Sequence, residues 1–178
     1  MSGRVKRMKL IGTLLLIMLL ALSGPCYAKA RFAGKTDMIN EAESIVVVNI
    51  TEVEDSNRKG QAWTYHQKVT AAVEVCLKGD AGSTITLYGL EDFVCARCRY
   101  EKGRFILFLR KDGPLWAGCN WHLGVRAIKD GKVQWFKDDK ALSDLKETRL
   151  DDVIMEIKAV IKEQKIAIPN KPHTSVGK

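Results

Sequence analysis

The chain is poor in the residues that build the commonest catalytic frames. It holds three histidines in 178 residues, with five cysteines, four prolines and 7% aromatics. No His-Glu-x-x-His helix, no Gly-x-Ser-x-Gly elbow and no phosphate-cradling glycine loop is present. That excludes the helical zinc-peptidase, α/β-hydrolase and P-loop frames. Five cysteines are too few for a dense disulfide knot, and 14 glycines with four prolines too few for a collagen-like chain. No cofactor loop is legible either. The paired carboxylates, Asp138-Asp139 and Asp151-Asp152, suit a solvated turn and a helix N-terminus better than an acid/base pair. What remains is 46% apolar and 28% charged residues in a length that suits one domain with one core.

Long apolar runs are also scarce. The longest is Leu10 to Leu22, preceded by Arg4, Lys6, Arg7 and Lys9 and followed by the helix-breaking Ser23-Gly24-Pro25. A membrane-spanning helix needs about 20 apolar residues, so this run has the length and flanks of a cleaved signal peptide over residues 1–28. Cleavage is expected after Ala28, or after Ala30, since both follow the small-x-small pattern. Cys26 does not make a lipid anchor, because Pro25 stands where a lipobox needs a small residue. The expected location is therefore secreted or periplasmic, with no stable membrane anchor after cleavage.

The charge then has to be reread. The formal +8 is confined to the ends: residues 29–157 hold 20 basic and 20 acidic side chains, leaving four basic residues before them and five Lys against one Glu after them. A nucleic-acid binder carries its basic excess on the folded body. No nucleic-acid partner is expected, and a protein or envelope component is.

Periodicity predicts a mainly β fold with flanking helices. A short helix over Lys35–Glu43 leads into a β-branched strand, Ser44–Val53, which ends at the polar segment Glu54–Gln61. From Ala62 to Leu77 the residues alternate, with Trp63, Tyr65, Gln67, Val69, Ala71, Val73 and Val75 on one side. Further strands are expected at Ser83–Leu90, Arg104–Arg110 and Trp116–Leu123, then a hairpin over Val125–Phe136 turning at Asp130-Gly131. Leu150, Val153, Ile154, Ile157, Val160 and Ile161 recur at helical spacing, with Thr148 and Asp151 as a capping box, so an amphipathic helix should cover Thr148–Gln164. The pattern reads as a small antiparallel OB-like β-barrel over 31–140, a C-terminal helix packed on it over 141–165 and a loose basic tail over 166–178. A β-sandwich is the alternative.

Three segments carry a resemblance. They are Ala42-Glu43-Ser44-Ile45-Val46-Val47-Val48, Val73-Glu74-Val75-Cys76-Leu77-Lys78-Gly79 and Tyr100-Glu101-Lys102-Gly103-Arg104-Phe105-Ile106-Leu107-Phe108. In this order they are similar to the N-terminal barrel of the tissue inhibitors of metalloproteinases, and to exported bacterial proteins of the same plan and no known activity. The likeness spans roughly residues 40–136 and rests on strand and turn pattern. It implies an OB-like barrel outside the cytoplasm. Those inhibitors set a mature N-terminal cysteine on the protease zinc, whereas here both cleavage sites discard Cys26 and expose Lys29 or Arg31. The inhibitory mechanism is therefore not carried over.

Four cysteines remain after cleavage: Cys76, Cys95, Cys98 and Cys119. In an exported chain an even number favours disulfides, and three pairings are open. Cys95–Cys98 with Cys76–Cys119 is the preferred pairing; the longer bridge would add roughly 3–4 kcal/mol by loop entropy. Two chemistries compete with it. Cys95-Ala96-Arg97-Cys98 could be a thiol-disulfide redox pair, its arginines favouring a thiolate. Cys95, Cys98, Cys119 and His122 have ligand types and spacing that could close a zinc site. His66 and His173 read as a solvated strand residue and a tail residue. Trp116, Trp121 and Trp135 could form a stacking platform, although aromatic core is the commoner role of such residues. The expectation is an exported, non-enzymatic binding domain using a face near Trp116, Trp121 and His122.

Overall fold

The computed structural model describes residues 32–91, 97–141 and 143–167. The leader, both cleavage sites, Cys95 and the tail beyond residue 167 lie outside them. Helix α1 (Lys35–Glu41) precedes β1 (Ser44–Lys59), β2 (Thr64–Lys78), β3 (Thr84–Gly89), β4 (Gly103–Asp112) and β5 (Leu115–Gly118). A 3-10 turn (Trp121–Gly124) leads to β6 (Val125–Lys129), β7 (Lys132–Phe136), β8 (Leu145–Arg149) and helix α2 (Leu150–Ala167).

The first five strands close a barrel in the order β1-β2-β3-β5-β4, sealed by β1–β4. All ring pairings are antiparallel except β3–β5. This closed ring is the expected OB-like barrel and replaces the β-sandwich alternative. Its closure needs a strand that bends. β1 pairs with β4 over Ser44–Ile50 and with β2 along its whole length, with register shifts after Ile45, Val47, Ile50 and Asp55. Such bulges add twist and let one strand serve both sides of a barrel.

Two cores follow from strand alternation. Val46, Val48 and Ile50 of β1, Val69 and Ala71 of β2, Ile85 and Leu87 of β3 and Leu107 and Leu109 of β4 fill the barrel. Ile45, Val47, Ile106 and Phe108 point outward into a second core, closed by Met38 and Ile39 of α1, Val133 and Trp135 of β7 and Val153 and Ile157 of α2. Both faces of β1 and β4 are thus apolar, which is why these strands read as unbroken hydrophobic runs. The helical stripe lies on the outer core, with Leu150, Ile154, Val160 and Ile161 packed beside the two buried residues. Glu156 ties this layer together: one carboxylate oxygen pairs with Lys35, and the other accepts the indole N–H of Trp135 at 2.7 Å.

Several boundaries differ from those expected. β1 runs on through the polar stretch to Lys59, because β2 pairs it as far as Lys59↔Thr64. The Trp116–Leu123 strand shrinks to Leu115–Gly118 followed by the 3-10 turn, whose entry residues Asn120 and Trp121 have positive φ. Thr148 is not a helix cap. It sits in β8, its hydroxyl donating to the Lys146 carbonyl, and β8 pairs with β7 from Lys132↔Arg149 to Phe136↔Leu145. The Asp130-Gly131 turn is as expected, with φ of 49° and 71°.

Candidate binding surface at one end of the barrel

The turn between β1 and β2 and the turn between β4 and β5 meet at the same end of the barrel. Asp112, the last residue of β4 and 9% exposed, makes the junction. Its carboxylate accepts the backbone N–H of Ala62 at 2.8 Å, the backbone N–H of Trp63 at 3.2 Å and the hydroxyl of Tyr65 at 2.9 Å. Burial and the adjoining Asp112 carboxylate hold the Tyr65 phenol well above its usual range, so it stays a donor. Ala62, Trp63, Arg110, Lys111 and Asp112 line a cavity of about 210 Å³.

Around it the cations rest on rings. The Arg110 guanidinium lies 5.2 Å from the centre of Trp121, and the Lys111 ammonium 4.9 Å from that of Trp116. Trp63 meets Trp121 edge to face at 5.3 Å. Neither cation is held in an ion pair with a carboxylate among the described residues. Each therefore keeps N–H groups for an external acceptor while its charge is partly supported by an aromatic face.

The expected site residues are distributed differently. Trp121 is 2% exposed and belongs to the barrel core, whereas Trp135 belongs to the outer core. Sealed in separate layers, they make no common platform with Trp116. Only Trp116, half-buried, and His122, exposed, remain reachable. His66 is half-buried on β2.

The cysteines also part company. Cys76, Cys98 and Cys119 are free thiols. The expected Cys76–Cys119 bridge is not formed: Cys76 is exposed, its sulfur 3.5 Å from the Lys78 and Gly79 carbonyls, while Cys119 is buried in the outer core. Nor is Cys98 bridged; its expected partner Cys95 lies outside the described residues. Cys98 points into the barrel core beside the Tyr100 hydroxyl and close against Gly118, where an added Cβ would stand 2.8 Å from its sulfur. Burial pushes its thiol up to about 11. The flanking arginines do not reverse this, since Arg97 and Arg99 are exposed and Arg99 pairs with Glu91 at 3.6 Å. A thiol so protonated is a poor nucleophile at neutral pH. Cys119, in the same way, is pushed up to about 11 by burial.

The zinc set is not assembled. Cys98 and Cys119 occupy different cores and His122 faces solvent. Among the described residues no group of three His, Cys, Asp or Glu side chains is placed to hold a metal ion. The residues that sequence reasoning missed are Asp112, Arg110 and Lys111. A lone aspartate at a strand end and a basic pair in a turn carry no motif, and only barrel closure brings them to Trp63. No family model matches the chain, and no curated protein matches it either.

Proposed function

We propose that the protein is an exported, non-enzymatic binding domain that takes a protein or envelope partner on this end of the barrel. The observation that carries the reading is the pair of cations, Arg110 and Lys111, that no ion pair among the described residues holds, flanked by Trp63 and Trp116. An acidic patch on the partner would satisfy both, and half-buried tryptophans at a rim supply the contact area typical of interface anchors. In OB barrels these two turns are a recurrent ligand-binding edge, although fold by itself does not assign function. On this reading the likeness to the metalloproteinase-inhibitor barrel extends to architecture and export, and not to zinc chelation. The depth and protonation of Cys98 count against the thiol-disulfide alternative.

The test is site-specific photocrosslinking in cells that express the full chain with its leader. A crosslinker at Trp116 should trap a discrete partner, and one at Met155, exposed on α2, should not. Lys111→Glu should abolish the adduct with the thermal midpoint unchanged. N-terminal sequencing should start at Lys29 or Arg31. Equal trapping from both positions would refute the surface assignment. Reduction of a model disulfide, lost in Cys95→Ser while the fold persists, would refute the non-enzymatic reading.

A further inference from the structure

Sharing no lining residue with the Asp112 cavity, an apolar cavity of about 200 Å³ opens between α1, β6 and the β7–β8 connection. Met38, Leu123 and Phe136 line it, and Phe32 and Leu145, two of the few large apolar side chains left exposed, stand at it. One charged group intrudes. Arg126 extends from β6, where it pairs with Ile106 of β4, and its guanidinium carbon lies 5.1 Å from the centre of the Phe136 ring. The Arg126 Nε is enclosed and has no hydrogen-bond partner, and among the described residues no carboxylate pairs with the side chain.

The side chain is half-buried, and its enclosed Nε is cut off from water and has no partner among the described residues, which carries a cost. Enclosed charges in folded proteins are paired or bound to a counter-ion, because an unpaired one forfeits its hydration without recompense. Burial accordingly pulls the guanidinium below its usual range. A wall of aliphatic and aromatic carbon beside one cation that no carboxylate among the described residues pairs with is complementary to an anion that carries an apolar body. The planar guanidinium fork suits a carboxylate in particular. The volume lies below the roughly 300–1,000 Å³ of drug-sized pockets, so the ligand is small.

We infer that this cavity binds a small monocarboxylate with an apolar tail, its carboxylate on Arg126 and its tail among Met38, Leu123 and Phe136. The site is separate from the barrel-end surface, and neither reading depends on the other.

Octanoate is the probe, with 1-octanol and acetate as controls, titrated into the full mature chain by calorimetry and by 15N NMR of the arginine Nε–H groups. Octanoate should bind at one saturable site, shift the Arg126 resonance and raise the thermal midpoint. Octanol and acetate should each bind at least tenfold more weakly. Arg126→Met should weaken octanoate at least tenfold yet raise the midpoint of the unliganded protein, since it removes a half-buried cation whose Nε is enclosed without a partner. Should that variant misfold, Leu123→Trp, which fills the cavity and keeps the charge, should abolish binding on its own. No saturable binding of octanoate, equal binding by octanol, or unaltered binding in Arg126→Met or Leu123→Trp would overturn the inference. So would self-association through this face that disappears in Arg126→Met.

Discussion

Replacing Asp112 by alanine removes three hydrogen bonds at once, and their surroundings set the cost. Two are donated by Ala62 and Trp63 backbone N–H groups, at 2.8 and 3.2 Å, in a turn where Ala62 is exposed and Trp63 half-buried. Water can replace the carboxylate there, so each should cost the net value of an ordinary hydrogen bond, about 0.5–1.5 kcal/mol. The third is different. Tyr65 is 1% exposed, and its hydroxyl, 2.9 Å from Asp112, would be left buried without its acceptor. An orphaned buried donor costs about 1–3 kcal/mol. The expected loss is therefore about 2–6 kcal/mol, a large part of the roughly 5–15 kcal/mol of a typical domain. Asp112→Asn keeps one acceptor oxygen and should lose about half as much. Equilibrium urea unfolding followed by tryptophan fluorescence reads the difference, with the slope unchanged if the fold persists. Tyr65→Phe supplies the decisive control. With no hydroxyl to orphan, Asp112→Ala should cost about 1–3 kcal/mol less in that background. Additive losses, or a loss below about 1 kcal/mol for Asp112→Ala alone, would refute the clasp.

Other outcomes follow from the same geometry. Cys98 and Cys119 have folded pKa values of about 11 against 9.0 for a free thiol; the unfolded chain releases these protons first, so their stabilisation is complete below about pH 8 and lost between about pH 9 and 11. Each thiol should contribute roughly 3 kcal/mol to that alkaline loss, and chemical unfolding of a Cys98→Ala, Cys119→Ala double variant should show a shallower slope there. Glu156→Ala removes the acceptor of the buried Trp135 indole and the partner of Lys35, at an expected cost of about 2 kcal/mol; Glu156→Gln, which can still accept from the indole, should cost under half of that by thermal denaturation. Gly131→Ala meets no atom within 4 Å, yet φ is 71°, so its loss of about 1 kcal/mol should report backbone strain alone.

Apart from the helix and the Asp130-Gly131 turn, the elements differ in how plainly the chain announces them. β4 was legible because Ile106 to Leu109 is buried in two cores at once, a demand that only consecutive apolar residues meet. β8 was hidden for the opposite reason. Leu-Lys-Glu-Thr-Arg lies on the outer edge of the sheet, pairs only with β7 and leaves most side chains in water, so no alternation had to be written into it. The outer half of β1 was missed likewise, since Glu54 to Lys59 are held by backbone pairing with β2 and not by burial.

Local residue choice by itself determined what depends on neighbours along the chain. The period-2 and period-3.6 stripes, the Asp-Gly turn and the balanced charge of residues 29–157 are all of this kind. Barrel closure decided everything that depends on which side of a wall a residue falls. It buried Trp121 and Trp135 in separate layers, placed Cys98 and Cys119 in different cores, and brought Asp112 to the tyrosine of a hairpin that lies 47 residues away in sequence. It also left the Nε of half-buried Arg126 enclosed and without a hydrogen-bond partner among the described residues. A side chain carries its charge and shape wherever the chain goes, but the partners that give it a role are assembled only when distant strands meet.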